Sequence, residues 1–456
     1  MLVGTAITAS HLPWARVLAA SFAEQHPDAP PVAVLVVDDV HGVVDGAGEP
    51  FELLRPADVG IDDAELHRRG AMYQPMELAG STRALLLATL LERAGGGPVA
   101  FADADVLVCG SLDPVAEQVA REGIVLSPHL LAPPARPEPI EQGLLLAGSY
   151  NCGFLGVAGE AGARFTRWWA GHLERDCISD QPGGLFVSQR WLDLAPGLFG
   201  VANLADPGTN VTVHNLGARV IAEGPAIDGA PLRLLHVGGD FDPRAGAWPR
   251  LATSPVAAEL LEDYARRLIA AGHVAPAAPY GFAAASDGTV LEPWVRRAVR
   301  AALLDGDPAP DPFASGAAFT EWLADAPEPP ASRWALALRA YRRDIAAAFP
   351  AVPGADAPRF VRWLGIQEEI PIPARFAPPE IELDEERAAR EVGEHMAALD
   401  SARQRAEAEA ETLRAALATA EGARDADRAA LAALRSNRAL RASQAGRRAL
   451  NKLLRR

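Results

Sequence analysis

The sequence predicts an α/β protein: a mainly parallel sheet with helices on both faces, then a small helical domain and a long C-terminal helix. Three observations point there. Over residues 1–275, short near-continuous apolar runs alternate with helix-length amphipathic stretches, and strands of that kind are covered on both faces. From about residue 276 strand signals stop and helical segments alternate with Pro-rich breaks such as Asp307-Pro308-Ala309-Pro310. Residues 381–456 are dominated by Ala, Glu, Arg and Leu and contain no proline, a composition of long helix.

The elements follow in order. Residues 3–8 read as a strand, and 14–25 as a helix with Val17, Leu18, Ser21 and Phe22 on one side. Residues 32–37 form a second strand ending at Asp38-Asp39, which could touch a ribose or base but suit capping the next element better. A long helix spans 76–93, carrying Leu85-Leu86-Leu87 and Leu90-Leu91. Residues 98–101 are a third strand, ending at Asp103; 124–126, 154–157 and 232–236 are further strands, and 162–174 and 256–271 are helices. Residues 280–287 suit a turn or hairpin. Helices at 291–304, 317–324, 332–348 and 357–365 make an accessory domain over 276–370, and the four prolines of 371–380 mark a linker. In parallel α/β sheets ligands bind at the carboxyl ends of the strands, so chemistry is sought there.

Composition narrows the class. The 456 residues are 49 % apolar with net charge −16, which argues against a nucleic-acid partner. Cys109, Cys152 and Cys177 form no CxxC or Cys/His cluster, so a reducing compartment is expected, without a disulfide framework or structural zinc. No apolar run reaches membrane-span length, and the N-terminus lacks a basic n-region. The expectation is a cytoplasmic protein. From Arg428 onward there are nine basic and no acidic side chains. Removing that +9 leaves −25 on the rest. Leu440, Leu450, Leu453 and Leu454 interleave with these charges, so 428–456 suits a solvated helix end, or a basic amphipathic helix on the inner membrane surface or a partner helix. An Ala-rich three-and-four spacing through Leu399, Ala402, Ala406, Leu413, Ala416 and Ala420 suggests a weak coiled coil and homo-oligomer through 381–456.

The strongest chemical motif is Phe101-Ala102-Asp103-Ala104-Asp105. Carboxylates at i and i+2 of extended backbone point the same way and together chelate a hard divalent cation. The chain has 29 aspartates and four Asp-x-Asp triplets, where about two are expected by chance. The 103/105 pair alone follows a buried strand and precedes another apolar run; 240/242, 305/307 and 425/427 do not.

This segment, Phe101-Ala-Asp-Ala-Asp-Val-Leu-Val, resembles the Asp-x-Asp segment of nucleotide-sugar glycosyltransferases with the A-type fold. The similarity continues in order through Tyr150-Asn151-Cys152-Gly153-Phe154, Phe186-Val187-Ser188-Gln189-Arg190-Trp191-Leu192-Asp193, Asp206-Pro207-Gly208-Thr209-Asn210-Val211 and Leu235-His236-Val237-Gly238-Gly239. It covers about residues 1–275, more faintly to about 366, and is similar to retaining, glycogenin-like and galactosyltransferase-like bacterial enzymes. The resemblance implies a Rossmann-like mixed sheet and a Mn²⁺ (or Mg²⁺) ion on Asp103, Asp105 and His236. It implies donor contacts from Thr8, Arg83, Asp103, Gly153 and Gly238, and catalytic roles for Gln189, Asn151 and Asp193. It also implies transfer, with retention, from a UDP-sugar to a saccharide or glycoconjugate in cell-surface polysaccharide synthesis.

Two positions depart from the family pattern. Ser188 stands where the family has an Asp expected to bind sugar hydroxyls, and Arg83 stands where a Lys is expected. Asp180-Gln181 offers a substitute dipeptide in the wrong context and is a decoy. The Ser188 departure opens an alternative, a transferase-like domain without turnover that binds sugar nucleotide or scaffolds an assembly. A sugar-nucleotide pyrophosphorylase would need a Gly-rich basic loop before Val32, and a dehydrogenase a Gly-x-Gly-x-x-Gly turn; neither is present. Trp168, Trp169 and Trp191 suit helix packing better than sugar platforms, and Asp240 with Asp242 shapes a loop or forms a rival metal pair.

Overall fold

The computed structural model describes residues 1–453 apart from 41, 43, 134–138, 213–214, 217–218, 240, 247, 249–250, 275–278, 380–384 and 437. The chain divides into two compact units, Met1–Asp325 and Ala326–Arg456. The expected boundary at 275 therefore falls inside the first unit.

The first unit is built on a seven-stranded sheet. Its spatial order is Ala202–Asn203, β6 (Ile124–Pro128), β7 (Tyr150–Val157), β4 (Val99–Ala102), β1 (Leu2–Ile7), β2 (Ala33–Val36), β3 (Glu52–Leu54). Pairing is parallel from β4 through β1 and β2 to β3, whereas β7 runs antiparallel to both β4 and β6. The sheet is thus mixed. Ala33–Val36 and Val99–Ala102 are buried at every position, as strands covered on both faces must be.

Helix α1 (Leu12–Gln25) buries Trp14, Val17, Leu18 and Phe22. Helices α2 (Asp63–Met72) and α3 (Pro75–Arg93) follow β3. Pro75 opens α3, and a capping box joins Gln74 and Glu77; Pro pre-sets the first-turn φ and the box satisfies free N–H groups. Residues 78–91 of α3 are buried almost all round, because it lies against β1, β4 and α6 (Gly159–Leu173). Helices α4 (Asp113–Glu122), α5 (Pro139–Ala147), α7 (Ala195–Phe199) and α8 (Pro255–Ala270) complete the region resembling a transferase.

A second, three-stranded sheet orders Val211–Thr212, Leu234–His236 and β5 (Val106–Val108). It folds the chain after Asp105 back against the late strand.

The first helices of the expected accessory domain belong to this same unit. Ala284 and Val290 form an antiparallel bridge that reaches three residues past the 280–287 stretch expected to turn. On α9 (Pro293–Leu304), buried Arg296 donates to Phe282 O at 2.7 Å and to Gly70 O, and Arg297 and Arg300 pair with Glu77 and Asp176. Helix α10 (Gly316–Ala324) closes the unit.

The second unit holds α11 (Arg333–Tyr341), α12 (Arg343–Ala348) and α13 (Ala357–Ile366). The single helix expected over 332–348 breaks at Arg342, whose backbone is extended (φ −92°, ψ 101°) while its Nε donates to Asp344 at 2.9 Å. Within 371–379, Phe376 is buried and stacks on Trp334 at 5.5 Å, so this stretch is anchored rather than a bare spacer. The tail is helical as α14 (Glu385–Ser436) and α15 (Arg438–Leu453). No helix among the described residues is long and apolar enough to cross a membrane.

Glu65 on α2 is the acidic hub of an ion cluster with Arg68, Arg69 and Arg175. Burial alone would raise its pKa, but Arg175, Arg69 and Arg68 outweigh burial and lower it to about 2. A depressed carboxylate stabilises the fold above its unfolded pKa, and the contribution disappears as pH falls through the folded value. The Glu65→Gln variant should therefore melt below wild type at pH 7, and the difference should shrink between about pH 4.5 and pH 2. Paired thermal melts across that range check it.

Candidate active site

Asp103 is the first polar side chain past the buried run Val99–Ala102, at the carboxyl end of β4. Two registers decide what meets it. On one side Ala102 opposes Phe154 of β7, and Asp103 N donates to Gly153 O at 2.8 Å. On the other, His236 opposes Val106 of β5, and Val237 N donates to Asp105 O at 3.0 Å. The imidazole thereby lands on the two carboxylates. His236 Nε2 is 3.0 Å from Asp105 Oδ1 and 3.9 Å from Asp103 Oδ2. One donor atom from each of the three residues lies within 4.8 Å of the others.

Arg83 reaches the cluster from α3. Its Nη2 is 2.5 Å from Asp103 Oδ1, and its guanidinium lies over the Phe101 ring, 4.7 Å from the centroid. Its Nη1 contacts Cys152 Sγ at 2.6 Å, Cys152 O at 3.3 Å and Ser188 Oγ at 3.4 Å. The buried Nε finds no acceptor among the described residues.

The electrostatics follow from this crowding. Burial would lower the His236 pKa, but Asp105 and Asp103 outweigh it and raise it to about 9. Burial would raise Asp105, but His236 draws it down. For Asp103 burial prevails over the pull of Arg83 and pushes the carboxyl up. The three side chains keep 14–21 % of their surface exposed, so the cluster opens to solvent on one side.

Gly153 is the floor of this cradle. A Cβ there would come within 2.4 Å of His236 Cε1, 2.8 Å of Asp103 Oδ2 and 2.9 Å of Asn151 Oδ1. Two carboxylates and one imidazole are a donor set for Mn²⁺ or Mg²⁺, the nitrogen favouring Mn²⁺. With the space kept free at residue 153, the residues present fit such an ion.

The other expected site residues take distinct places. Asn151 Oδ1 accepts from Gly153 N at 2.8 Å, and its Nδ2 lies 2.6 Å from Asn210 Oδ1 and 3.1 Å from His236 Nδ1. Gln189 spans two backbone groups, with Oε1 taking Cys152 N at 3.3 Å and Nε2 donating to Ala147 O at 3.1 Å. Asp193 takes Ser149 N at 2.8 Å and pairs with Arg190, so it braces the chain before β7 instead of touching the carboxylate pair. Thr8 Oγ1, at the end of β1, is 3.1 Å from His11 Nδ1. Gly238 has φ +101°, a backbone state open mainly to glycine. Ser188 is fully buried, and its O accepts from Trp169 Nε1 at 3.1 Å. Asp180 serves its own turn, taking Gly183 N at 3.2 Å.

Asp38 does not cap the element after it. It holds Ala9 N at 2.6 Å and Gly281 N at 3.2 Å, tying two loops at the mouth. Trp169 and Trp191 pack, the latter stacked on His172 at 3.9 Å. Asp240 lies outside the described residues, and Asp242 is exposed.

Sequence reasoning missed His11 and the brace supplied by Asn210. Burial lowers the His11 pKa, although Asp105, Asp38 and Asp103 pull it upward. Its signal was a polar cluster, Thr8-Ala9-Ser10-His11, just past a buried strand. Asn210 adopts φ +22° and donates Nδ2 to Pro128 O at 2.8 Å. Asn tolerates that backbone region better than most residues, but nothing in its spacing names the partner.

No protein-family model matches the chain, and no curated protein matches it. Among solved structures the chain is similar to the galactosyltransferase LgtC in complex with donor and acceptor sugar analogues. That likeness has 19 % identity over 58 % of this chain and 95 % of the other, at a TM-score of 0.34. It is also similar to the glycosyltransferase GlyE of Streptococcus pneumoniae TIGR4, at 12 % identity over 59 % and 63 % of the two chains and a TM-score of 0.35. These likenesses are distant, and the functional reading rests on the side chains described above.

Gly153→Ala should push His236 away from Asp103 and weaken Mn²⁺ binding by at least about tenfold, the scale of a disturbed ligand shell. Calorimetric titration of the folded variant with Mn²⁺ checks it; unchanged affinity would remove the cradle role.

Proposed function

We propose that this chain is a divalent-cation-dependent glycosyltransferase that moves a sugar from a nucleoside diphosphate donor, UDP being the expected nucleotide, to a saccharide or glycoconjugate acceptor. The observation that carries this reading is the meeting of Asp103, Asp105 and His236 within 4.8 Å, with the Arg83 guanidinium 2.5 Å from Asp103.

Breaking the bond from the anomeric carbon to a phosphate oxygen builds negative charge on the departing diphosphate. Charge stabilisation in a partly dehydrated site is the main service a protein can offer that step. Asp103, Asp105 and His236 would hold Mn²⁺ or Mg²⁺, which supplies Lewis-acid neutralisation of the diphosphate. Arg83 is a second fixed cation beside the same carboxylate. Gly238 and Gly239 let backbone approach a phosphate closely. Thr8 and His11 line the end of β1, on the side where a nucleoside would lie at the strand ends. Asn151 and Gln189 fix the Cys152–Gly153 backbone that borders the sugar position.

Retention fits a front-face displacement. The anomeric carbon–phosphate bond breaks while the acceptor oxygen bonds to the same face. The acceptor proton passes to the leaving phosphate oxygen, so no separate protein base is needed. Membership of a cell-surface polysaccharide pathway is part of the proposal.

One observation favours a second reading, a domain that binds sugar nucleotide without turnover. Ser188 Oγ is buried against Cys152 Sγ at 3.6 Å and Arg83, and it supplies no carboxylate where the resemblance implies one.

Asp105→Asn leaves the Arg83–Asp103 pair in place and should reduce Mn²⁺-dependent release of UDP from UDP-hexoses by about 100-fold or more, the scale of losing a transition-state charge contact. Asp103→Asn should do the same and also lower stability, because a buried guanidinium loses its partner. Turnover unchanged in both variants eliminates the site assignment. Tight UDP binding without donor cleavage by wild type, over a broad acceptor panel, selects the second reading.

A further inference from the structure

Helix α14 runs 52 residues (Glu385–Ser436), about 78 Å at 1.5 Å per residue. Its described side chains beyond Asp400 are exposed on every side to position 434, apart from a half-buried Ala410. Leu413, Leu417, Leu431 and Leu434 are 51–64 % exposed. A helix that long is not held by propensity alone. Ion pairs along it beyond Asp400 include Arg403–Glu407 at 2.8 Å and Asp425–Arg428 at 3.9 Å, all on exposed side chains.

The four leucines are not scattered. Leu413 and Leu434 are 21 residues apart, and Leu417 and Leu431 are 14 apart. Both intervals are multiples of seven, so the four lie along one seam of a supercoiled helix. Their arrangement is nearly palindromic about Arg424. A reversed copy sets Leu413 against Leu434 and Leu417 against Leu431.

Charge selects the direction. Residues 385–427 carry eleven acidic and six basic side chains, whereas 428–456 carry nine basic and none acidic. A parallel, in-register pair would lay each +9 end beside its twin. A reversed pair about Arg424 lays it along the partner's residues 392–420, which carry five acidic and three basic side chains, and opposite charges along a helix pair set partner orientation.

We infer that α14 and α15 are the self-association element of this chain, pairing with a second copy antiparallel about a two-fold axis near Arg424. The interface is isologous, the same surface on both copies. The basic end is therefore used by the partner's acidic half, and a lipid surface is the competing occupant. The inference does not depend on the proposed activity.

The test uses the full chain. Light scattering at tens of micromolar should give a dimer, and the Leu413→Asp/Leu417→Asp double variant should give a monomer. Spin labels at Ala426→Cys and Ser401→Cys, in a Cys109→Ser background, read the direction. Antiparallel pairing predicts a separation within about 20 Å for the 426 pair and about 70 Å for the 401 pair, from 1.5 Å per residue about the axis. Short separations at both sites mean a parallel pair and overturn the inference. So does a wild-type monomer, whether or not it co-sediments with phosphatidylglycerol vesicles, and so does a dimer unaffected by the double variant.

Discussion

The structure turns on charge compensation at the end of β4. Two carboxylates two residues apart sit in a partly dehydrated notch, and neither tolerates that position without a cation nearby. Arg83 answers Asp103 at 2.5 Å, and His236 answers Asp105 at 3.0 Å. Much of the surrounding architecture serves to deliver those two cations. Helix α3 is buried along most of its length, and that burial is what carries a guanidinium into the sheet end. The small sheet of β5 with Leu234–His236 exists to turn the late strand back onto the acidic turn.

The same requirement explains the irregularities nearby. The antiparallel β7 brings Gly153 beside Asp103, and only a residue without Cβ leaves room for the imidazole. Val187 adopts φ +48°, a costly state for a β-branched residue. That turn delivers Ser188 to Arg83 and Gln189 to the Cys152 backbone. Asn210, also at positive φ, braces Asn151 against His236. Strain of this kind persists where the surroundings over-determine the position.

Charge also organises the chain on a longer scale. All of the negative excess lies before residue 428, and the last 29 residues are strongly positive. The first unit keeps its ions in local clusters, such as Glu65 with three arginines and Glu77 with Arg297. Along the tail, pairs such as Arg403–Glu407 join exposed side chains of one helix.

Much of the fold was legible in the sequence because it rests on local signals. Apolar runs bounded by turns placed β1, β2, β4 and β6, and helix-length amphipathic stretches placed α3, α8 and α13, within a few residues. The Asp103–Asp105 pair was legible as two acids just past a buried strand, but the structure joins them by a turn, in which Val106 N donates to Asp103 O at 3.2 Å, and not by the extended alternation expected. The sequence alone did not show that β7 is antiparallel, that 332–348 breaks at Arg342, or that residues 279–325 share a compact unit with the sheet. Nor did it show that Asp38 ties Ala9 to Gly281 or that Asp193 braces Ser149. Each depends on partners between two and some 240 residues away, chosen by packing and register. Local patterning therefore determined which elements form and which side chains stand at their ends; tertiary packing decided which ends meet, because register, unlike periodicity, is a property of two segments.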